Sequence, residues 1–125
     1  MTRRVLWLLG GMVLFLQTAA GAALAYTITG TVQNNTGNGT NRIYVVVMDS
    51  TGVNATGFGT SIASISAGGS AGFTIRGVPM GSYRVGAFMD MQNSGSLHIN
   101  DPAGGTDSFS LNTDQDVGTL TLEPE

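Results

Sequence analysis

The chain contains no cysteine, no lysine, one histidine (His98) and one tryptophan (Trp7). Each scarcity excludes something. Without cysteine there can be no disulfide, no thiolate metal site and no lipid attached through an N-terminal cysteine. A single histidine rules out any multi-histidine zinc centre. Without lysine, and with only five arginines, no basic stripe can follow a nucleic-acid backbone or an anionic membrane surface. What is plentiful is glycine, 19 residues in 125, and turn-forming Asn, Ser and Thr between short apolar runs.

The first 25 residues differ from the rest. Arg3 and Arg4 precede an apolar stretch from Val5 to Ala20, and Ala23-Leu24-Ala25 has the small-x-small form of a signal-peptidase site. A membrane anchor is the rival reading, weakened by Gly10-Gly11 and Gln17 inside the apolar run. The expectation is a signal peptide over 1–25 and one small domain over 26–125, secreted or periplasmic, with no membrane contact after cleavage. That domain keeps three arginines against eight acids, a net charge of −5, which suits cations and neutral polar surfaces. A domain of this length buries only about 65% of its unfolded surface, so the core must be well patterned.

The patterning is that of strands. Tyr26, Ile28 and Val32 alternate with Thr27, Thr29, Thr31 and Gln33, one buried and one wet face. Residues 34–41 form a polar, glycine-rich connection. Ile43 to Met48 is apolar on both faces, as in a central strand, and Asp49-Ser50-Thr51-Gly52 has turn chemistry. A weaker strand is expected over 60–66, one through Ala71, Phe73 and Ile75, and one through Tyr83, Val85, Ala87 and Met89. Two closing strands are expected around Phe109-Leu111 and Val117-Leu122. About seven short strands with no helix predict an all-β fold, a single small antiparallel two-sheet sandwich of Ig-like type, with an up-and-down barrel as the alternative.

The segment from Asp90 to Asp101 carries the most chemistry. Counted as a twelve-residue calcium loop, it offers Asp90 at position 1, Gln92 at 3, Ser94 at 5, the Ser96 carbonyl at 7 and Asp101 at 12, with Gly95 at the turn position. Leu97 at position 8 is expected to tuck into the core. Gln92 is long, Ser94 neutral, His98 a nitrogen donor at position 9, and Asp101 shorter than a glutamate. Two carboxylates imply calcium affinity of roughly 10⁻⁴ to 10⁻³ M at best. The competing reading is a loop held by its own hydrogen bonds, with Asp90 and Asn93 accepting from backbone amides. Asp107 could add a ligand from the following strand.

The run from Phe73 to Val85, with Gly77-Val78-Pro79-Met80-Gly81 at its centre, resembles the carboxypeptidase regulatory-like, transthyretin-like (prealbumin-like) sandwiches. Gly30-Thr31-Val32 resembles their first strand, and Phe88, Asp90, Gln92, Ser94, Gly95, Asp101 and Pro102 resemble their Asp-x-Asn-x-Asn-Gly loop in degenerate form. The resemblance implies a sandwich and an accessory, adhesive or polysaccharide-binding role, and specifies fold better than function.

Catalytic patterns are weak. Gly68-Gly69-Ser70-Ala71-Gly72 matches the serine-hydrolase Gly-x-Ser-x-Gly, but it sits in a turn before a strand rather than at a strand-to-helix elbow. The spacing of Asp49 to Gly52 departs from the Asp-Thr-Gly of aspartic proteases. The expectation is therefore a non-enzymatic exported binding or structural module with a partner outside the cell or on its surface, presenting loops 34–41, 54–60 and 90–107. The alternatives are a polysaccharide-binding module, for which Phe58 is the one candidate loop aromatic, and a subunit of a cell-surface assembly.

Overall fold

The computed structural model describes residues 24–124. The signal-peptide expectation over 1–25 thus lies almost wholly outside the described residues. The described residues form eight strands: β1 (Ala25–Asn34), β2 (Ile43–Asp49), β3 (Ala55–Ile62), β4 (Ser70–Pro79), β5 (Gly81–Met89), β6 (Ala103–Gly105), β7 (Phe109–Leu111) and β8 (Gln115–Leu122). They make two sheets, a three-stranded one in the order β4-β1-β8 and a five-stranded one in the order β3-β2-β5-β6, with β7 also paired to β5. The fold is the expected all-β sandwich.

Period-two patterning places the core. Ile28 and Val32 of β1, Ile43, Val45 and Val47 of β2, Phe73 and Ile75 of β4, Val85, Ala87 and Met89 of β5, and Leu120 and Leu122 of β8 meet between the sheets. The apolar character of β2 on both faces has a second cause. Its alternate residues Val46 and Met48 point the other way and join Phe88 and Leu97 in a smaller cluster on the outer face of the larger sheet, with Tyr44 and Ala103 against it. Tyr44 stacks on Phe88 with ring centroids 5.3 Å apart.

Three local features differ from the sequence expectation. First, β1 and β8 run parallel, with Val32 opposite Leu120, whereas every other named strand pair is antiparallel. A parallel pair needs a long crossover, and β2 through β7 supply it. Second, the strand expected over 60–66 lies at Ala55–Ile62, so 54–60 is mostly strand rather than loop. Glycines at 57 and 59 conceal it, and Gly57 at φ +95° sits where the β2–β3 register shifts, the mark of a bulge. Ile65 lies beyond that strand yet is buried. Third, the three-residue β6 falls inside a segment read as loop.

The two lateral sides of the sandwich are built differently. On one side, β6 meets β8: Ala103 bridges Glu123, and Gly104 lies so close to β8 that an added Cβ would stand 2.1 Å from the Thr121 carbonyl oxygen. Only glycine fits that approach. On the other side, β3 and β4 are the last strands of their sheets. The chain passes from β4 to β5 by changing sheets at Met80. There the Tyr83 hydroxyl donates to the Pro79 carbonyl at 2.8 Å, a corner lock of the type seen in Ig-like folds.

Candidate functional site

One end of the sandwich gathers three connections: 35–42 after β1, 63–69 after β3, and 90–102 after β5. They meet there because Asn34 and Met89 end strands at the same level, and two side-chain pins hold them.

The first pin is Asn34, fully buried. Its Nδ2 donates to the carbonyls of Asn38 (2.7 Å) and Ile65 (2.8 Å). Its Oδ1 accepts from the Thr36 amide (2.9 Å) and hydroxyl (2.6 Å). These four bonds use the full capacity of an amide side chain. Its backbone also bonds Gly69 and Gly68, at 2.8 and 2.7 Å. One residue therefore ties the 35–42 connection to the 63–69 turn. Sequence reasoning placed Asn34 in a polar loop. Its in-line position after Ile28 and Val32 on the inward face of β1 was the signal that marked it as buried.

The second pin is a pair of carboxylates, Asp90 and Asp101, 2% and 0% exposed. Asp90 Oδ1 accepts from the Ser94 amide (3.1 Å) and hydroxyl (3.4 Å), and Oδ2 from the Gly95 amide (2.7 Å). Asp101 accepts from the amides of Met91 (3.2 Å) and His98 (2.9 Å). Burial pushes the Asp101 carboxyl above its ordinary value; those two amide bonds pull it down, and neighbouring Asp90 raises it further. Asn93 at φ +53° and Gly95 at φ +77° make the reversal these bonds require. The loop folds back so that Leu97, 8% exposed, covers Phe88, Val46 and Met48, as position 8 of the loop was expected to do. Asn41 Nδ2 donates to the Asp90 carbonyl at 2.9 Å and joins the two pins.

Of the expected ligands, the structure brings Asp90, Ser94 and the Ser96 carbonyl together. The Ser94 hydroxyl lies 3.4 Å from Asp90 Oδ1 and 3.1 Å from the Ser96 oxygen. It also lies 2.9 Å from His98 Nε2. Asp101 closes the loop from its far end. Gln92 and Asp107 are exposed. Among the described residues no three His, Cys, Asp or Glu side chains converge as a metal site. The oxygen set therefore fits a hard cation only through one carboxylate, a hydroxyl and a carbonyl, with Asp101 adjoining.

A third carboxylate organises the opposite end. Side-chain hydrogen bonds from Thr51 and Asn54 hold Asp49 well below the usual carboxylate range. All seven aromatic rings among the described residues sit wholly or partly in one of the two clusters, Phe58 included.

No family model matches the chain, and no curated protein matches it. Among solved structures it is similar to the tip fimbrial protein Mfa3 of Porphyromonas gingivalis, at 14% identity and a TM-score of 0.44 over 56% of this chain and 24% of that one. It is similar to a CARDB domain from Pyrococcus furiosus, solved in complex with di-metal ions, at 16% identity and a TM-score of 0.35 over 85% of this chain and 100% of that one. It is also similar to the pilus-presented adhesin Cpa, at 13% identity and a TM-score of 0.31 over 85% of this chain and 28% of that one. The chain spans about a quarter of the length of the fimbrial protein. These are likenesses of architecture alone.

Proposed function

We propose that this chain is a non-enzymatic structural module of the cell exterior, exported by its N-terminal segment and used as a building block of a surface assembly. The observation that carries the reading is how the polar side chains are used. Asn34, Thr36, Asp49, Asp90 and Asp101 all bond to the chain's own backbone amides and carbonyls. The molecule's hydrogen-bonding side chains hold its loops still, which is what a repeated building block needs. The Gly-x-Ser-x-Gly match supports the same reading, because Ser70 opens an edge strand and no helix follows it. Polysaccharide binding is less well supported, since sugar rings stack on exposed aromatics and these rings are turned into the clusters.

The test is to express the full chain with its own leader, fractionate the cells, and ask whether an external protease reaches the domain in intact cells. Recovery in the exterior fraction within a large complex supports the reading; retention in the cytoplasm would sink it. With no lysine in the chain, side-chain labelling must use carboxylate or arginine chemistry.

A second reading concerns the Asp90 loop alone. The convergence of Asp90, Ser94 and the Ser96 carbonyl favours weak calcium binding that stiffens the loop. A calcium-dependent rise in melting temperature, lost in Asp90→Ala, tests it.

A further inference from the structure

Sheet edges are hazards unless guarded, because an edge strand presents a row of main-chain donors and acceptors that another strand can take up. Four of the outer strands here are guarded. β6 and β8 close on each other through the Ala103–Glu123 bridge and the Gly104 approach. β7 is three residues long. β3 carries the Gly57 bulge. β4 is different. From Ser70 to Ile75 it pairs with β1 in unbroken register, Gln33 opposite Ser70 through Ile28 opposite Ile75. That run has no charge, no proline and no bulge; the first charge is Arg76 and the first irregularity lies beyond it, near Gly77.

We propose that the Ser70–Ile75 edge of β4 is an assembly surface that pairs antiparallel with β4 of a second copy of this chain, joining two three-stranded sheets into one six-stranded sheet. The proposal rests on the reading of the chain as a building block and names the surface it would use. Self-pairing is favoured by the charge pattern. Opposed residues of an antiparallel pair share a face, so registers centred on Gly72, Phe73 or Thr74 set the outward Ser70, Gly72, Thr74 and Arg76 against one another. In none of these does Arg76 face its own copy, and no other charge lies in the run. Within Ser70–Ile75 the outward side chains, Ser70, Gly72 and Thr74, are exposed and small, so they offer little steric hindrance to a second sheet.

The experiment uses the exported protein, expressed with its own leader, and sedimentation over a concentration series. In Gly72→Lys/Thr74→Lys, like charges oppose in each of the three registers. Gly72 has room for a side chain, its nearest neighbour being the Gly30 carbonyl oxygen at 3.7 Å. The expected result is a dimer whose dissociation constant rises at least about tenfold in the lysine pair, stays unchanged in Thr119→Lys on β8, and recovers when the lysine pair is mixed with Gly72→Glu/Thr74→Glu. Melting temperatures confirm that each variant is folded. A wild-type protein that stays monomeric at its highest soluble concentration overturns the proposal. So does a lysine pair that still dimerises. Either failure leaves the exterior-module reading to the fractionation result, which depends on no edge.

Discussion

The two pins at the loop end of the sandwich do the same task with different chemistry. Asn34 is neutral and bonds two acceptors and two donors; Asp90 and Asp101 are acids that bond only donors. The difference teaches which loop is sensitive to conditions. An amide holds its loop equally at any pH, whereas a buried carboxylate is stable only while its amide donors outweigh its lost hydration. The 35–42 connection is therefore held by bonds that do not titrate, and the 90–102 loop is the one held by carboxylates, which protonation can modulate.

The sharpest way to break the contrast is to turn the first pin into the second. Asn34→Asp aims a carboxylate at the carbonyls of Asn38 and Ile65, and should cost roughly 3–5 kcal/mol at neutral pH, partly recovered in acid, by denaturant titration. Leu97→Ala should cost about 2–3 kcal/mol by opening the small cluster over Phe88 while leaving the Asn34 loop protected in hydrogen exchange. Asp90→Asn keeps one acceptor but presents an amide group to a backbone N–H, and should cost about 1–2 kcal/mol, read as faster exchange at Ser94 and Gly95.

Acid separates the carboxylates by sign. Asp101 has its folded value raised, so its contribution is fully present below the ordinary 3.8 and is lost as pH rises through the folded value. Asp49 has its value lowered, so its contribution is present above 3.8 and is lost as pH falls towards the folded value. Melting curves from about pH 3 to about pH 7 should show Asp49→Asn losing less stability in acid than the wild type. A parallel acid limb in both proteins would show that Asp49 does not contribute. The smallest effect should be calcium's: with affinity of roughly 10⁻⁴ to 10⁻³ M, calcium at about 1 mM should add about 0.4–1.4 kcal/mol over chelator. Equal melts with and without calcium would leave the carboxylates as loop pins alone.

Much of this was legible before any coordinates. Alternation along β1, β4 and β5 marks their inward residues, and the unbroken apolar run of β2 announces a strand covered on both faces. Leu97 could be placed because position 8 of a loop that returns on itself points inward, whereas Met91 and Ile99 of the same loop stay exposed. β3 was not legible in place, because Gly57 and Gly59 carry no side chain whose burial could set a period. Asn34 was misread as loop because a polar residue shows its burial only when its partners, one of them 31 residues away, are known.

The sequence by itself determined a strand-built, disulfide-free domain with a turn-bonded acidic loop, because alternation and turn chemistry act between residues a few positions apart. Only the tertiary structure decided that β8 lies parallel to β1, that β6 and β8 seal one side while β4 stays open on the other, and which polar side chains are buried. Those outcomes depend on contacts between distant segments, such as Gly104 against Thr121, where the main chain of one strand leaves room for nothing larger than hydrogen on the other.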